Sequence, residues 1–533
     1  MLTPKELQEV ADTMYPLLDD LNAWITQDVI RRMMARLGRG EDPGFGASDN
    51  WQLRLYQEAA GHYEALEQEI KKWTLLSDAE IQAIFEDAGL QAWAVEDAFY
   101  MAQGFESVPL LKSESLMRIL EDTWRRTNGE VHNFCRTTAK VSEQRFMNVC
   151  DTAHLKVITG AQSYAEAVKD AVEELAGHQL TVSYPSGHID TIETAVLRCV
   201  RTGTAQASGN MSLQGMVEHA WDTVLVSAHL GARYGDGGEN PGNHFWWQGK
   251  LYSRSGTDPD LPPFSLTGYG TGEGLCGWNC RHSFGPGIKG HNPYEGVFDS
   301  EENKKAYDLS QRQRRMERDI RHSKTKLLGY RTAIEECTDE EARQKLQEEY
   351  DAEAAKLKRK NAVYDKFCRD NDLKRYDDRL RSARWNRSEA RRAAMAAKRG
   401  EEALAKSQQR AILKEKIKKG ELSTKLSRQQ YEKHVEGTVA FRNYAKTRKE
   451  KGQDPQSVLT ITAEEAQALI NKHSRTGDPF LRNSKFVEYC TADRVIGKYY
   501  SNGDMLPTSR FAIHYGTRSA HIVPVKPLDS EGK

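Results

Sequence analysis

The stretch RFAIHYGTRSAHIVPV, Arg510–Val525, carries two runs of strand-forming residues on either side of GTRS. Side chains alternate between the two faces of a strand, and a polar break between two such runs reads as a hairpin. Centring the turn on Thr517-Arg518 sets His514 directly opposite His521. Arg510 falls on that same face, while Phe511, Ile513 and Tyr515 turn to the other. The chain is thus expected to end in a sheet-bearing domain that displays two imidazoles and a guanidinium on one surface.

Outward from the hairpin, FVEYC (486–490) and RVIGKYY (494–500) read as further strands, bounded by turn residues. Thr462-Ala-Glu-Glu465 has capping-box spacing, and Ala466, Leu469 and Ile470 supply the apolar face of the helix after it. The Glu464-Glu465 pair therefore belongs to helix capping and not to acid–base chemistry. Together these features predict a small α+β domain over 426–533.

Residues 301–420 hold 34 Lys and Arg, 23 Asp and Glu, three glycines and no proline. That is the composition of long solvated helix, although the apolar positions keep no clean heptad. A charged helical linker or arm is expected over 301–425. Its basic excess would suit a nucleic-acid tether, but the acidic residues favour a solvated helix. Between 177 and 300, glycine-rich segments such as RTGTAQASGN and GARYGDGGENPGNH punctuate short apolar runs such as TVLVSAHL, which predicts an α+β module. Residues 1–176 show helical spacing, with helix starts expected at Asp78-Ala-Glu and Ser113-Glu-Ser. The fold class expected is multidomain: an α-helical N-terminal region, a Gly-rich α+β module, a long charged helical linker and a small C-terminal α+β domain.

The 533 residues are near neutral overall, but 1–300 hold 24 basic against 41 acidic side chains, so the front is acidic and the back basic. Eight cysteines are too sparse for a disulfide framework and fit a reducing compartment. With no apolar run of about 18 residues and an acidic amphipathic N-terminus, a soluble protein without signal peptide or membrane partner is expected.

GLCGWNCRHSF, Gly274–Phe284, spaces Cys276 and Cys280 as C-x3-C, with His282, His244, His229 and His291 as further metal donors. Zinc at Cys276, Cys280 and His282 is one reading. Thiols packed in a Gly-rich turn is the preferred one, because no second C-x2-C pair follows. A catalytic Cys/His pair is weaker, since nothing beside either thiol is set to lower its pKa. No cofactor is called for.

Three further segments accompany it: SAHLGAR (227–233), NHFWWQGKLYS (243–253) and TGYG (267–270), preceded by VLRCVRTGTAQASG (196–209) as a helix. Together with GLCGWNCRHSF they resemble the phage minor capsid protein 2 family, related to MuF-type head morphogenesis proteins, over about residues 1–300. The resemblance implies a virion protein near the portal, also present in the host cytoplasm during assembly, with portal and capsid proteins as partners and phage DNA as a further one. It marks His229, Arg233, His244, Gln248, Lys250, Trp278, Cys280, Arg281 and His282 as a structural signature. Trp246, Trp247 and Trp278 are expected to bury large areas beneath the loop that Arg281 and His282 pin.

YEKHVEGT (431–438), SVLTITAEEAQALINK (457–472), TSRFAIHY (508–515) and AHIVP (520–524) resemble the polymorphic toxin type 50 domain, over about 428–527. That family is placed by similarity with the barnase, EndoU, colicin and RelE-like ribonucleases, so the resemblance implies metal-independent RNA cleavage, an RNA substrate and an immunity protein. Such cleavage needs a base for the 2′-hydroxyl, an acid for the leaving oxygen and a cation for the phosphate. His514 and His521 are the first candidates, Arg510 the phosphate cation, and His434 the remaining histidine. Lys433, Arg518 and Tyr515 are expected to contact RNA or phosphate. The reading is a minor capsid protein with a ribonuclease tail. The alternatives are a ribonuclease effector toxin delivered by phage or another particle, and a purely structural capsid protein with an inactive tail.

Overall fold

The computed structural model describes residues 1–37, 48–178 and 180–527. Its contacts divide the chain into two compact units, Met1–Ala397 and Lys398–Lys533, and the division falls within the helix Arg387–Lys418. The last residues of the expected C-terminal domain, 528–533, lie outside the described residues.

The first unit is built on long helices, among them Tyr15–Leu37, Ser48–Ala102, Glu114–Ile158 and Tyr164–Gly177. Ser113 caps Glu114–Ile158 as expected, its hydroxyl accepting from the Leu116 amide. Asp78 starts no helix. Ser48–Ala102 runs straight through it because the apolar face continues unbroken through Trp73, Ile81, Ile84 and Phe85, and the Asp78 carboxylate meets His132 instead, at 2.7 Å.

RTGTAQASGN, glycine-rich by composition, lies inside the helix Ile192–Glu218. Glycine in a helix interior costs about 0.5–1 kcal/mol relative to alanine. Here close packing offsets that cost. A Cβ on Gly203 would stand 2.1 Å from the Thr127 hydroxyl oxygen, and one on Gly209 2.9 Å from both the Phe284 ring and the Tyr269 hydroxyl. The helix is therefore wrapped by Glu114–Ile158 on one side and by the Gly-rich module on another. In that module Thr223–Val226, the expected short strand, pairs antiparallel with both Leu251–Ser253 and Phe284–Pro286.

The charged segment after 300 forms long helices, but its first two are not a solvated arm. Ser300–Glu336 and Glu340–Asp370 pack on each other and on Tyr164–Gly177, burying Ile320, Leu327, Tyr330, Leu346 and Tyr364. Their polar side chains go inside because partners await them: Tyr364 donates to Glu317 at 2.9 Å, and Arg321 pairs with Glu193.

In the second unit a four-stranded antiparallel sheet runs in the order Ala520–Pro524, Arg510–Tyr515, Lys485–Thr491, Asp478–Arg482. A three-stranded sheet joins Asp504–Thr508, Gly497–Ser501 and Val458–Leu459. The hairpin register is the expected one, with His514 paired to His521. The capping box Thr462/Glu465 opens the helix Ala463–His473, whose Ala466 and Ile470 are buried. Within RVIGKYY only Gly497 onward is strand. The core of this unit also takes in Leu413, fully buried, well upstream of the expected start at 426.

Gly209→Ala is expected to destabilise the first unit by about 1–3 kcal/mol through overpacking. Leu413→Ala should cost the second unit about 2–5 kcal/mol through the cavity it leaves. Calorimetry of the full chain, in which each variant should lower a different transition, checks both.

Candidate functional site

In the first unit the signature residues converge on one buried knot. His282 is completely buried and donates through Nε2–H to Gln248 Oε1 at 2.9 Å, while the same oxygen accepts the His229 amide at 3.1 Å. The His282 ring stacks on His229 at 4.5 Å and meets Trp247 edge-on at 4.8 Å. His244 donates to the Glu273 carbonyl at 2.8 Å. Arg281 donates to Gln8 Oε1 and the Gly231 carbonyl, and Arg233 to the Trp278 carbonyl. Lys250 is exposed, its ammonium 5.6 Å from the Trp246 ring centre. Trp247 is buried as expected, but Trp278 is 57 % exposed, because its indole lies outside the turn against Gly272.

Donor atoms of His244, Cys280 and His282 lie within 4.8 Å of one another, so His244 takes the place that the spacing gave to Cys276. The Cys276 thiol instead faces the His282 carbonyl at 3.7 Å. Burial pushes the Cys280 thiol above its usual range, and it sits 3.6 Å from the free Nδ1 of His282. Burial also holds His282 well below the usual imidazole range and lowers His244 to about 3, with Arg281 and Arg233 adding to the effect. A protonated thiol beside a neutral imidazole is not an activated nucleophile pair, and a metal held by His244, Cys280 and His282 would have to displace the thiol proton with Arg233 and Arg281 close by. Chelation with EDTA is expected to leave the unfolding midpoint of the first unit unchanged, as differential scanning calorimetry would read.

In the second unit the His514 and His521 rings stack at 4.8 Å with 13° between their planes, both half-buried. Directly paired residues share a sheet face, so Val487, Lys485 and Arg482 belong to the face of His514 through the register His514–Val487 and Lys485–Arg482. Burial lowers His514 to about 4, with Arg482 the next cause. Burial lowers His521 to about 3, helped by His514, His434, Lys433 and Lys485. His434 is thus brought to the pair from the N-terminal side of the unit. Its Nδ1–H donates to the Ser457 carbonyl at 2.8 Å, which fixes the tautomer and leaves Nε2 as the proton acceptor. Tyr444 meets its ring edge-on at 5.9 Å and carries the Lys433 ammonium 5.5 Å from the ring centre.

Arg510 shares the face but not the cluster. It stands four residues along the strand from His514, roughly 13 Å at strand rise, with its guanidinium 5.0 Å from the Tyr489 ring centre. Arg518 is exposed in the turn. Tyr515 cannot contact a ligand: it is buried on the opposite face, where it donates to the fully buried Glu488. Three neutral imidazoles, one with a fixed acceptor nitrogen, ringed by Arg482, Lys485 and Lys433, can relay a proton beside a bound anion.

Residues 2–359 match the family model described as phage minor capsid protein 2. The chain belongs to that family. Residues 426–524 match the model described as bacterial toxin 50, so the minor capsid protein carries a toxin domain at its C-terminal end. Among curated proteins, one described as "Structural protein" from Lactococcus phage LL-H is 22% identical over 210 residues, 37% of this chain and 54% of that protein. The match therefore spans about half of the relative's length. No solved structure matches significantly.

Arg482 and Lys485 of the toxin domain were not anticipated, yet RNSK is legible as a two-residue hairpin: Asn483 and Ser484 adopt φ of 49° and 63°, and the tight turn fixes Arg482 opposite Lys485. Because His514 and His521 titrate lower in the folded than in the unfolded chain, the unfolded state binds protons first as pH falls. Their contribution to stability is full above about 6.5 and is lost on the way down to 4 and 3. The unfolding midpoint of the second unit should therefore fall between pH 7 and pH 4.5, and less steeply in a His514→Gln/His521→Gln variant, as calorimetry across that range would show.

Proposed function

We propose that this minor capsid protein is a virion component whose toxin domain cleaves RNA without a metal. The virion placement is supported by the family and by the phage structural relative. It makes other capsid components its partners, with the portal and phage DNA as nearer contacts and an immunity protein as the partner of the toxin domain. The observation that carries the chemistry is the convergence of His434 on the His514–His521 stack within a ring of cations. His434 Nε2 takes the proton of the 2′-hydroxyl. Arg482, Lys485 and Lys433 hold the phosphate, whose charge lets His514 or His521 gain the proton that it returns to the leaving oxygen. Arg510 lies too far along the strand for that phosphate and would meet RNA beyond it.

Purified full-length protein is expected to cleave RNA in EDTA. His434→Gln should lower kcat/KM by about 10²–10⁴-fold, and Arg482→Gln by about 10²–10³-fold. In the free protein His514 is mostly neutral at pH 7, so kcat/KM should rise roughly tenfold per pH unit toward pH 5 until His434 protonates. Equal cleavage by wild type and a His514→Ala/His521→Ala variant would sink the enzymatic reading. Purified virions without a peptide from residues 1–300 would sink the capsid placement.

A further inference from the structure

A cavity of about 500 Å³ opens inside the first unit between the helices Ile192–Glu218 and Ser300–Glu336, with the His229–His282 stack in its wall. Eight arginines face four carboxylates around it. Three of the arginines are answered: Arg198 by Asp190 at 2.7 Å, Arg321 by Glu193, and Arg379 by Asp12 at 3.9 Å. The fourth carboxylate, Glu317, accepts from Tyr364.

The remaining cations have no such answer. Arg201, 6 % exposed, spends its guanidinium on the Leu7 and Gln8 carbonyls at 3.1 Å each, and Arg281 on Gln8 and Gly231. Arg314 touches the cavity through charge alone, without a side-chain hydrogen bond among the described residues. Burial, then Arg314, bring Arg201 and Arg281 each to about 10, and burial, then Arg379, lowers Arg314. Guanidiniums that outnumber the carboxylates around them two to one, in a place where water screens them poorly, are stabilised by an anion. Their planar forks match phosphate oxygens two at a time. The neutral histidines add no competing negative charge, and the volume is that of a small-ligand site.

We infer that this cavity binds a compact oligophosphate anion, held by Arg201, Arg281 and Arg314 between the two helices. Such a ligand would add to the link that Asn303 makes with the Ala232 amide and carbonyl between the charged helix and the Gly-rich signature. The source of the phosphates is either free inorganic oligophosphate or the phosphate tail of a nucleotide.

Calorimetric titration of the full chain with inorganic tripolyphosphate, and separately with ATP, tests it in buffer free of divalent cations. Tripolyphosphate should bind, raise the unfolding midpoint of the first unit and weaken with added salt. Tighter binding of ATP would assign the nucleotide source, and equal binding the free anion. Arg314→Gln, which orphans no partner, should lose at least about tenfold in affinity and still fold, while the exposed Arg381→Gln should bind as wild type. Undiminished binding by Arg314→Gln, no binding at all, equal binding of citrate, or displacement by a single-stranded oligonucleotide at lower concentration would each overturn the proposal.

Discussion

The close approach around the helix Ile192–Glu218 sets the geometry of the first unit. Without side chains at Gly203 and Gly209, Thr127 from one helix and Tyr269 and Phe284 from the Gly-rich module come into direct contact with its backbone. Phe284 begins the edge strand that pairs with Thr223–Val226, and the residues just before it are Arg281 and His282. The position of the histidine knot thus follows from how deeply Phe284 can seat against Gly209. Arg201, on the same helix, reaches Leu7 and Gln8 and so ties the N-terminal segment to that helix.

In the second unit the governing effect is electrostatic. His434, His514 and His521 are kept neutral by partial burial and by the cations around them, so the site is a proton acceptor waiting for negative charge. A bound phosphate reverses the balance, since it offsets the repulsion that depresses the imidazoles. Under the proposed function, phosphate binding and proton uptake would be coupled. The opposite face of the sheet is built on the reverse logic: Glu488, fully buried, is satisfied by the Arg475 and Gly477 amides and by Tyr515, and holds the sheet without facing solvent.

Legibility in the sequence tracked the range of the forces involved. Local rules were readable: the Thr462/Glu465 capping box, the Ser113 cap and the His514–His521 register each depend on a few neighbouring residues. Non-local packing was not. RTGTAQASGN carries Ala205, Ala207, Ser208 and two glycines, which composition alone reads as a break; the family resemblance puts 196–209 in a helix, and only the elements that crowd against it show why the glycines are there. The charged helices after 300 read as solvated because composition cannot show that Glu317 and Arg321 have partners 47 residues downstream and 128 residues upstream. Arg510 lies on the right face but four residues along the strand from His514, whereas Arg482, two strands over, is the cation whose charge acts on His514. Tyr515 was misassigned as a ligand contact although the same alternation that placed His514 turns its neighbour inward.

The net charge near zero conceals a common device in the two units. Each gathers buried or half-buried cations around neutral histidines, His229, His244 and His282 in one and His434, His514 and His521 in the other. The difference lies in what the histidine nitrogens do. In the first unit the ring N–H groups are committed to Gln248, Glu273 and Leu230, and Nδ1 of His282 faces a thiol. Those rings act as struts. In the second, His434 is anchored through one nitrogen only, and the stacked pair makes no side-chain hydrogen bond among the described residues. Of the three rings in the first unit only His282 has both nitrogens engaged among the described residues, so the contrast is sharpest between that fully buried ring, held between Gln248 and Cys280, and the half-buried His514–His521 stack.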